Sequence, residues 1–202
     1  MNPVKLIVTN KGNLEWKYGK KITGIHTLLK RMQVADKKKG LDTKVAFVDE
    51  AASLKSLGVK KIKANTEAEY KRVVDNLYEK FMPAYIVILG AQDIFPFQKI
   101  INPVEDEEDP DEFVESDLPY ACDAPFNKRI DDFTGPTRVV GRIPDIMGEQ
   151  RDTKYLETVI TNSINHKAVD ADEYRNYFAV SALVWQKSTA QSLQNMFGSI
   201  RK

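Results

Sequence analysis

The chain reads as an α/β protein built on a mostly parallel sheet, and three observations predict it. Val4–Thr9 (VKLIVT), residues 43–48 (TKVAFV) and Tyr85–Leu89 (YIVIL) are short apolar runs rich in β-branched residues. They lack the polar alternate face of a half-exposed strand, as strands covered on both sides do. The segments between them place apolar residues at helical spacing, and strand–helix–strand–helix–strand order implies parallel βαβ units under helical cover.

The first strand leads to a helix whose stripe is Ile22, Ile25, Leu29 and Met32, at spacings of 3, 4 and 3. Lys37, Lys38 and Lys39 suit the negative end of that helix dipole, and Gly40 is the expected residue just past its end. After the second strand, Asp49 is expected to cap a short helix ending near Gly58. Thr66-Glu67-Ala68-Glu69 has the form of a capping box. It opens a helix with Tyr70, Val73, Val74, Leu77, Tyr78 and Phe81 inward, which Pro83 stops. Residues 90–137 hold six of the nine prolines and read mostly as loop, a length usually tied to function. Residues 138–143 (RVVGRI) read as a short strand, followed by a helix bearing Tyr155, Leu156, Val159, Ile160 and Ile164. A linker near 165–176 precedes another strand at 177–184 (YFAVSALV). Ser188-Thr189-Ala190-Gln191 then reads as a second capping box, opening a helix with Leu193, Met196 and Phe197.

With 202 residues, 42% of them apolar and 29% charged, the chain has the composition of a soluble globular protein. No apolar run approaches the ~20 residues that span a bilayer, and the first residues lack a secretory pattern. The single cysteine, Cys122, excludes an internal disulfide. One cysteine and two histidines cannot form a four-ligand zinc site without carboxylates. A reducing, cytoplasmic setting is the simplest expectation. The net charge of +1 is unevenly spread: residues 1–101 carry 19 Lys/Arg against 10 Asp/Glu, and residues 102–202 carry 11 against 19. The asymmetry is the kind that guides one half onto the other or onto a partner chain; two solvated faces is the plainer reading.

Several segments recur in an order that resembles a known family. Gly90-Ala91-Gln92-Asp93-Ile94-Phe95-Pro96 follows an apolar strand, Ser116-Asp117 precedes Tyr120, and Val139-Val140-Gly141-Arg142-Ile143-Pro144 precedes an amphipathic helix. Ser181-Ala182 then sits in the next apolar run, before a polar loop. This set resembles the gingipain branch of the caspase-like cysteine peptidases, from about Val4 to Phe197. The resemblance implies a caspase-like three-layer sandwich with a mostly parallel sheet. Residues 1–165 would be a first, non-catalytic sheet unit, and residues 170–202 the start of a second, incomplete one. It implies catalytic His and Cys residues further along than these segments, so the chain alone is expected to be inactive. The loop after the "SA" strand contributes to the pocket for the substrate's P1 side chain in that family, which carries substrate binding onto Trp185, Lys187, Ser188 and Thr189. That loop has no acidic residue here and Lys187 has the wrong sign, so a basic P1 residue is not expected.

The remaining candidates form no dyad. A Cys–His peptidase needs an imidazole beside its thiol and donors for the oxyanion. Cys122 precedes Asp123, whose charge raises a thiol pKa, and reads as a small loop or core residue. His26 lies beside the apolar stripe of its helix, and His166 lies near a helix C-terminus, where a cation suits the dipole. No catalytic residue is therefore assigned. Arg138 and Arg142 share one face of a strand-like segment; one of them pairing with an acidic loop residue such as Asp117 would hold the long loop down, a structural role carried on Asp117 and Arg142, while free surface arginines are the plainer reading. Asp131 and Asp132, before Gly135-Pro136, read as turn residues.

The run Glu105–Glu112 offers oxygen ligands to calcium but lacks the glycine and spacing of an EF-hand, so no metal or cofactor is assigned; a solvated loop or a strip covering a basic surface are the other readings. Lys60, Lys61 and Lys63 have no interleaved aromatics, and a pI of 7.7 argues against a nucleic-acid partner. No P-loop or GxGxxG is present. The sequence thus predicts the N-terminal part of a caspase/gingipain-type endopeptidase, with a protein or peptide substrate and a companion catalytic portion as partners. A non-catalytic interaction module is the rival. A flavodoxin-like domain fits the early alternation but leaves the SDLPY–VGRIP region unexplained.

Overall fold

The computed structural model describes residues 2–104, 110–148, 152–170, 172–173 and 179–198, in two compact units, Met1–His166 and Lys167–Lys202. The first unit is an α/β domain on a four-stranded parallel sheet. Its strands are β1 (Val4–Thr9), β2 (Asp42–Phe47), β3 (Tyr85–Leu89) and β6 (Val140–Ile143), in the order β2-β1-β3-β6. An antiparallel hairpin, β4 (Gln98–Ile101) with β5 (Phe113–Ser116), lies in the connection from β3 to β6. Helices α1 (Lys11–Tyr18), α2 (Ile22–Lys38), α3 (Ala51–Leu57), α4 (Glu67–Phe81) and α5 (Lys154–Asn165) complete the unit.

Alternation along the strands feeds two cores. Leu6, Val8, Ile86 and Ile88 pack with Leu54 of α3 and with Tyr70, Val73, Val74 and Leu77 of α4. Ile7 and Leu89 pack the other way, onto Leu14, Ile25, Leu29, Met32, Leu156 and Ile160 of α1, α2 and α5. Both faces of the sheet are therefore covered, which is why the strands lack a polar side. Each such buried aliphatic side chain contributes about 1.5–3 kcal/mol.

The structure departs from the sequence expectations in instructive places. Helix α1 was not expected, since only Leu14, Lys17 and Tyr18 are buried along it and Trp16 is exposed. Capping secures it instead: the Asn10 side chain accepts from Asn13 N, and the Asp49 carboxylate accepts from Lys11 N and Gly12 N, each at 2.8 Å. Asp49 therefore serves α1; α3 starts at Ala51, with Glu50 at its N-cap position making no side-chain cap. Strand β2 lies one residue earlier than expected. Thr66 does cap α4 by position, but the box does not close, because Glu69 accepts from Lys63 N and is forked by Arg72. Gly40 and Gly58 occupy the left-handed conformation past their helices, as the sequence implied for Gly40.

Residues 90–137 are more ordered than their prolines suggest. The hairpin and two short 3-10 turns, Leu118–Ala121 and Ile130–Phe133, close over a small core of Ile100, Cys122 and Phe133. In α5, Leu156 and Ile160 are buried but Tyr155 is exposed.

The second unit contains α6 (Gln186–Phe197), preceded by a 3-10 turn at Leu183–Trp185. The strand expected over 177–184 is not formed by residues 179–184, and its first two residues lie outside the described ones. A strand needs a ladder partner for its backbone, and among the described residues of this unit there is none. The second capping box also fails: α6 starts at Gln186, and Ser188 Oγ donates back to Trp185 O at 3.0 Å. Leu193 is half-buried and Met196 and Phe197 are exposed.

Candidate functional site

All four parallel strands end at the same edge, and the residues just beyond them converge there. Asn10 follows β1, Asp49 follows β2, Gly90 to Asp93 follow β3, and Asp145 follows β6. In an open α/β sheet this carboxyl edge is where ligand crevices form.

A buried charge cluster lies there. Lys17 Nζ, on a side chain with no exposed surface, sits 2.7 Å from Asp93 Oδ2 and 2.9 Å from Asp145 Oδ2. Tyr18 donates its hydroxyl to Asp145, and Ala91 N donates to the other Asp145 oxygen at 2.5 Å. Gly148 N donates to Asp93 at 3.1 Å. Burial, reinforced by the hydrogen bond to Asp145, pushes the Tyr18 hydroxyl far above its ordinary pKa. The cluster ties α1 to the turns after β3 and β6. The β3 turn requires Gly90, at φ +109°, because a Cβ would lie 2.6 Å from the Ile94 side chain.

A second network floors the crevice. Tyr70, on α4, accepts from Asn10 Nδ2 and donates to Asn65 Oδ1, both at 2.6 Å. Asn13 Nδ2 donates to Ile94 O at 3.0 Å. Above it a cavity of about 500 Å³ is bordered by Asn13, Asn65, Glu67, Asp93, Phe126 and Lys128. The sequence signal for this site is the polar residue placed soon after each apolar run. Lys17 carries no such signal, because α1 has no apolar stripe to mark it as a helix: only Leu14, Lys17 and Tyr18 are buried along it.

Asp117 and Arg142 are brought together. Arg142 Nη2 lies 2.5 Å from Asp117 Oδ1 and Nε lies 2.8 Å from Oδ2. The remaining nitrogen, Nη1, donates to the carbonyls of Gly90 and Phe95 at 2.6 and 2.8 Å. The guanidinium thus locks the segment before Tyr120 and the turn after β3 onto β6. Arg138 is engaged separately, with Asp75 at 2.5 Å and stacked 4.2 Å from the Tyr78 ring centroid.

Cys122 and His26 are held apart. Cys122 is buried, its thiol donates to Phe133 O at 3.5 Å, and its carbonyl accepts from Lys71 on α4. Burial pushes the thiol pKa up, with Asp123 adding to the rise. His26 packs edge-on against Phe47 on the α2 side of the sheet, and burial followed by the charge of Lys11 lowers its pKa. The sheet separates the two. His166 caps α5 and its carbonyl accepts from Lys39.

In the second unit, Trp185 ends the 3-10 turn, Lys187 and Ser188 are exposed, and Thr189 Oγ1 lies 2.8 Å from Ser181 Oγ. Thr189 borders a shallow hollow of about 400 Å³ with Ser181, Leu183 and Leu193; Trp185, Lys187 and Ser188 do not line it.

Within the acidic run, Glu105–Asp109 lie outside the described residues, so the calcium expectation falls there. Among the described residues no His/Cys/Asp/Glu group could hold a metal ion, and no helix is long and apolar enough to cross a membrane. Comparison of the chain with protein-family models, curated proteins and solved structures returns no match.

Proposed function

We propose that this chain is the N-terminal part of a caspase/gingipain-type cysteine endopeptidase, with residues 1–165 as its non-catalytic sheet unit, residues 170–202 as the start of the catalytic unit, and the Cys–His dyad supplied outside residues 1–202. The observation that supports this reading most is the Asp117–Arg142 fork. It joins the SD…Y segment to the VGRIP segment, two of the motifs that carry the resemblance. The parallel order β2-β1-β3-β6, with helices on both faces, is compatible with a caspase-like sandwich. A buried, proton-retaining Cys122 with the sheet between it and His26 is unsuited to nucleophilic attack. In the whole enzyme, a thiolate would attack the peptide carbonyl carbon, the C–N bond would break, and the His would protonate the leaving amine. Water would then hydrolyse the thioester. Trp185, Lys187, Ser188 and Thr189 keep their proposed place near the P1 side chain.

The test is to isolate the native protein from the cells that make it and treat it with a peptidyl acyloxymethyl ketone, which alkylates catalytic thiols. The expected result is a labelled species carrying this sequence, either well above 23.0 kDa or with a labelled companion chain. An unlabelled 23.0 kDa species with no companion, or peptide hydrolysis by the 202-residue chain itself, would overturn the reading.

Exposed apolar side chains favour a second reading, a non-catalytic interaction module. Val180, Leu183 and Val184 are 83%, 86% and 78% exposed in the second unit, and such surface marks contact sites. A stable, specific complex of an unlabelled 23.0 kDa species would support it.

A further inference from the structure

Three cavities of about 560, 310 and 500 Å³ lie along the carboxyl edge of the sheet. The first two share Lys61, Ile62 and Lys63, and the last two share Asn13 and Asn65. Successive cavities therefore adjoin, and we infer that they make up one furrow running from α3 across the strand ends to Phe126 and Lys128.

The furrow is chemically graded. At the α3 end stand Lys55, Lys60, Lys61 and Lys63, all exposed, and none forms an ion pair among the described residues. Val59 and Ile62 lie between them as half-buried and buried apolar surface. The middle offers the amides of Asn13 and Asn65, positioned by Tyr70. The far end pairs Phe126, 37% exposed, with Pro96.

We propose that this furrow docks an extended segment of a partner polypeptide, with acidic side chains over Lys60–Lys63 and an apolar side chain on Phe126. Among the described residues these four lysines form no ion pair, although Lys63 acts electrostatically on Glu69 and Asp49 borders the same cavity as Lys61 and Lys63; the excess of cations at this end attracts carboxylates and speeds their encounter. Side-chain amides in the middle suit the backbone of an extended peptide, which offers a donor and an acceptor at each residue. A nucleic acid fits less well. Its phosphates would run the length of the furrow, past the carboxylates of Asp49, Glu67 and Asp93. No aromatic ring stands beside the lysines to stack a base. The proposal does not depend on the peptidase reading, since it uses only the first unit's strand ends.

The test is fluorescence anisotropy with the full chain and a short fluorescein-labelled peptide alternating Glu and Leu. Controls are the matched Lys–Leu peptide and an oligothymidylate of equal length. The expected result is salt-sensitive binding of the Glu–Leu peptide, about ten-fold or more tighter than either control. The triple variant K60E/K61E/K63E is expected to lose about ten-fold in affinity, and Phe126→Ser about three-fold, with unchanged circular dichroism. Equal binding of the Lys–Leu peptide, tighter binding of the oligothymidylate, or an unaltered triple variant would each overturn the proposal.

Discussion

Arg142 and Asp117 meet fork to fork, at 2.5 and 2.8 Å, across 25 residues of sequence. The arginine side chain is almost fully buried and also stacks 4.4 Å from the Phe97 ring centroid. One guanidinium thus fastens a loop, a turn and a strand.

Arg142→Lys should therefore behave as a severe substitution, because an ammonium cannot fork a carboxylate and reach two carbonyls together. A loss of about 2–4 kcal/mol is expected in urea denaturation, part of it from polar groups left unpaired. A double-mutant cycle with Asp117→Ala should give a coupling of about 1–3 kcal/mol. Additive effects would mean that the fork contributes nothing to stability.

Lys17→Met leaves Asp93 and Asp145 facing each other without a cation. A cost of about 3–5 kcal/mol is expected, since a broken buried pair strands uncompensated charge. Adding Asp145→Asn should recover part of it. A single variant as stable as the wild type in the same denaturation assay would show that the cluster is dispensable.

Stability should fall in alkali. Burial pushes the Tyr70 hydroxyl up to about 12 from its usual 10, and the Tyr18 and Tyr120 hydroxyls also rise. The folded state therefore holds protons that the unfolded chain releases above pH 10. Their stabilisation is complete below pH 10 and is lost as pH rises toward 12, at up to about 1.4 kcal/mol per pH unit for each tyrosine. Urea midpoints from pH 9 to 11.5 test this, and Tyr70→Phe should flatten the slope. A midpoint constant over that range would contradict it.

Cys122 should be inert while the chain is folded, because burial removes both access and thiolate. Ellman's reagent is expected to find no fast-reacting thiol in buffer and one per chain in urea. Rapid reaction of the native protein would place the thiol on the surface.

The sequence by itself determined the local elements. β1 and β3 fall where VKLIVT and YIVIL place them, and the stripe from Ile22 to Met32 lies on α2. Apolar periodicity is a short-range property, so a single sequence displays it. An arginine–carboxylate pairing onto Asp117 was legible only as the less favoured alternative to free surface arginines, because a single sequence does not show which of Arg138 and Arg142 comes within reach of it. Tertiary structure alone decided which carboxylate serves which partner. Asp49 left α3 for the amides of α1, Glu69 left Thr66 for Lys63 and Arg72, and Lys17 found Asp93 and Asp145 far along the chain. Parallel strands bring their carboxyl ends to one edge, so residues 10, 49, 93 and 145 become neighbours through sheet order rather than spacing. A polar side chain bonds to the nearest group with the best geometry, and that group is chosen only once the strands have been set side by side.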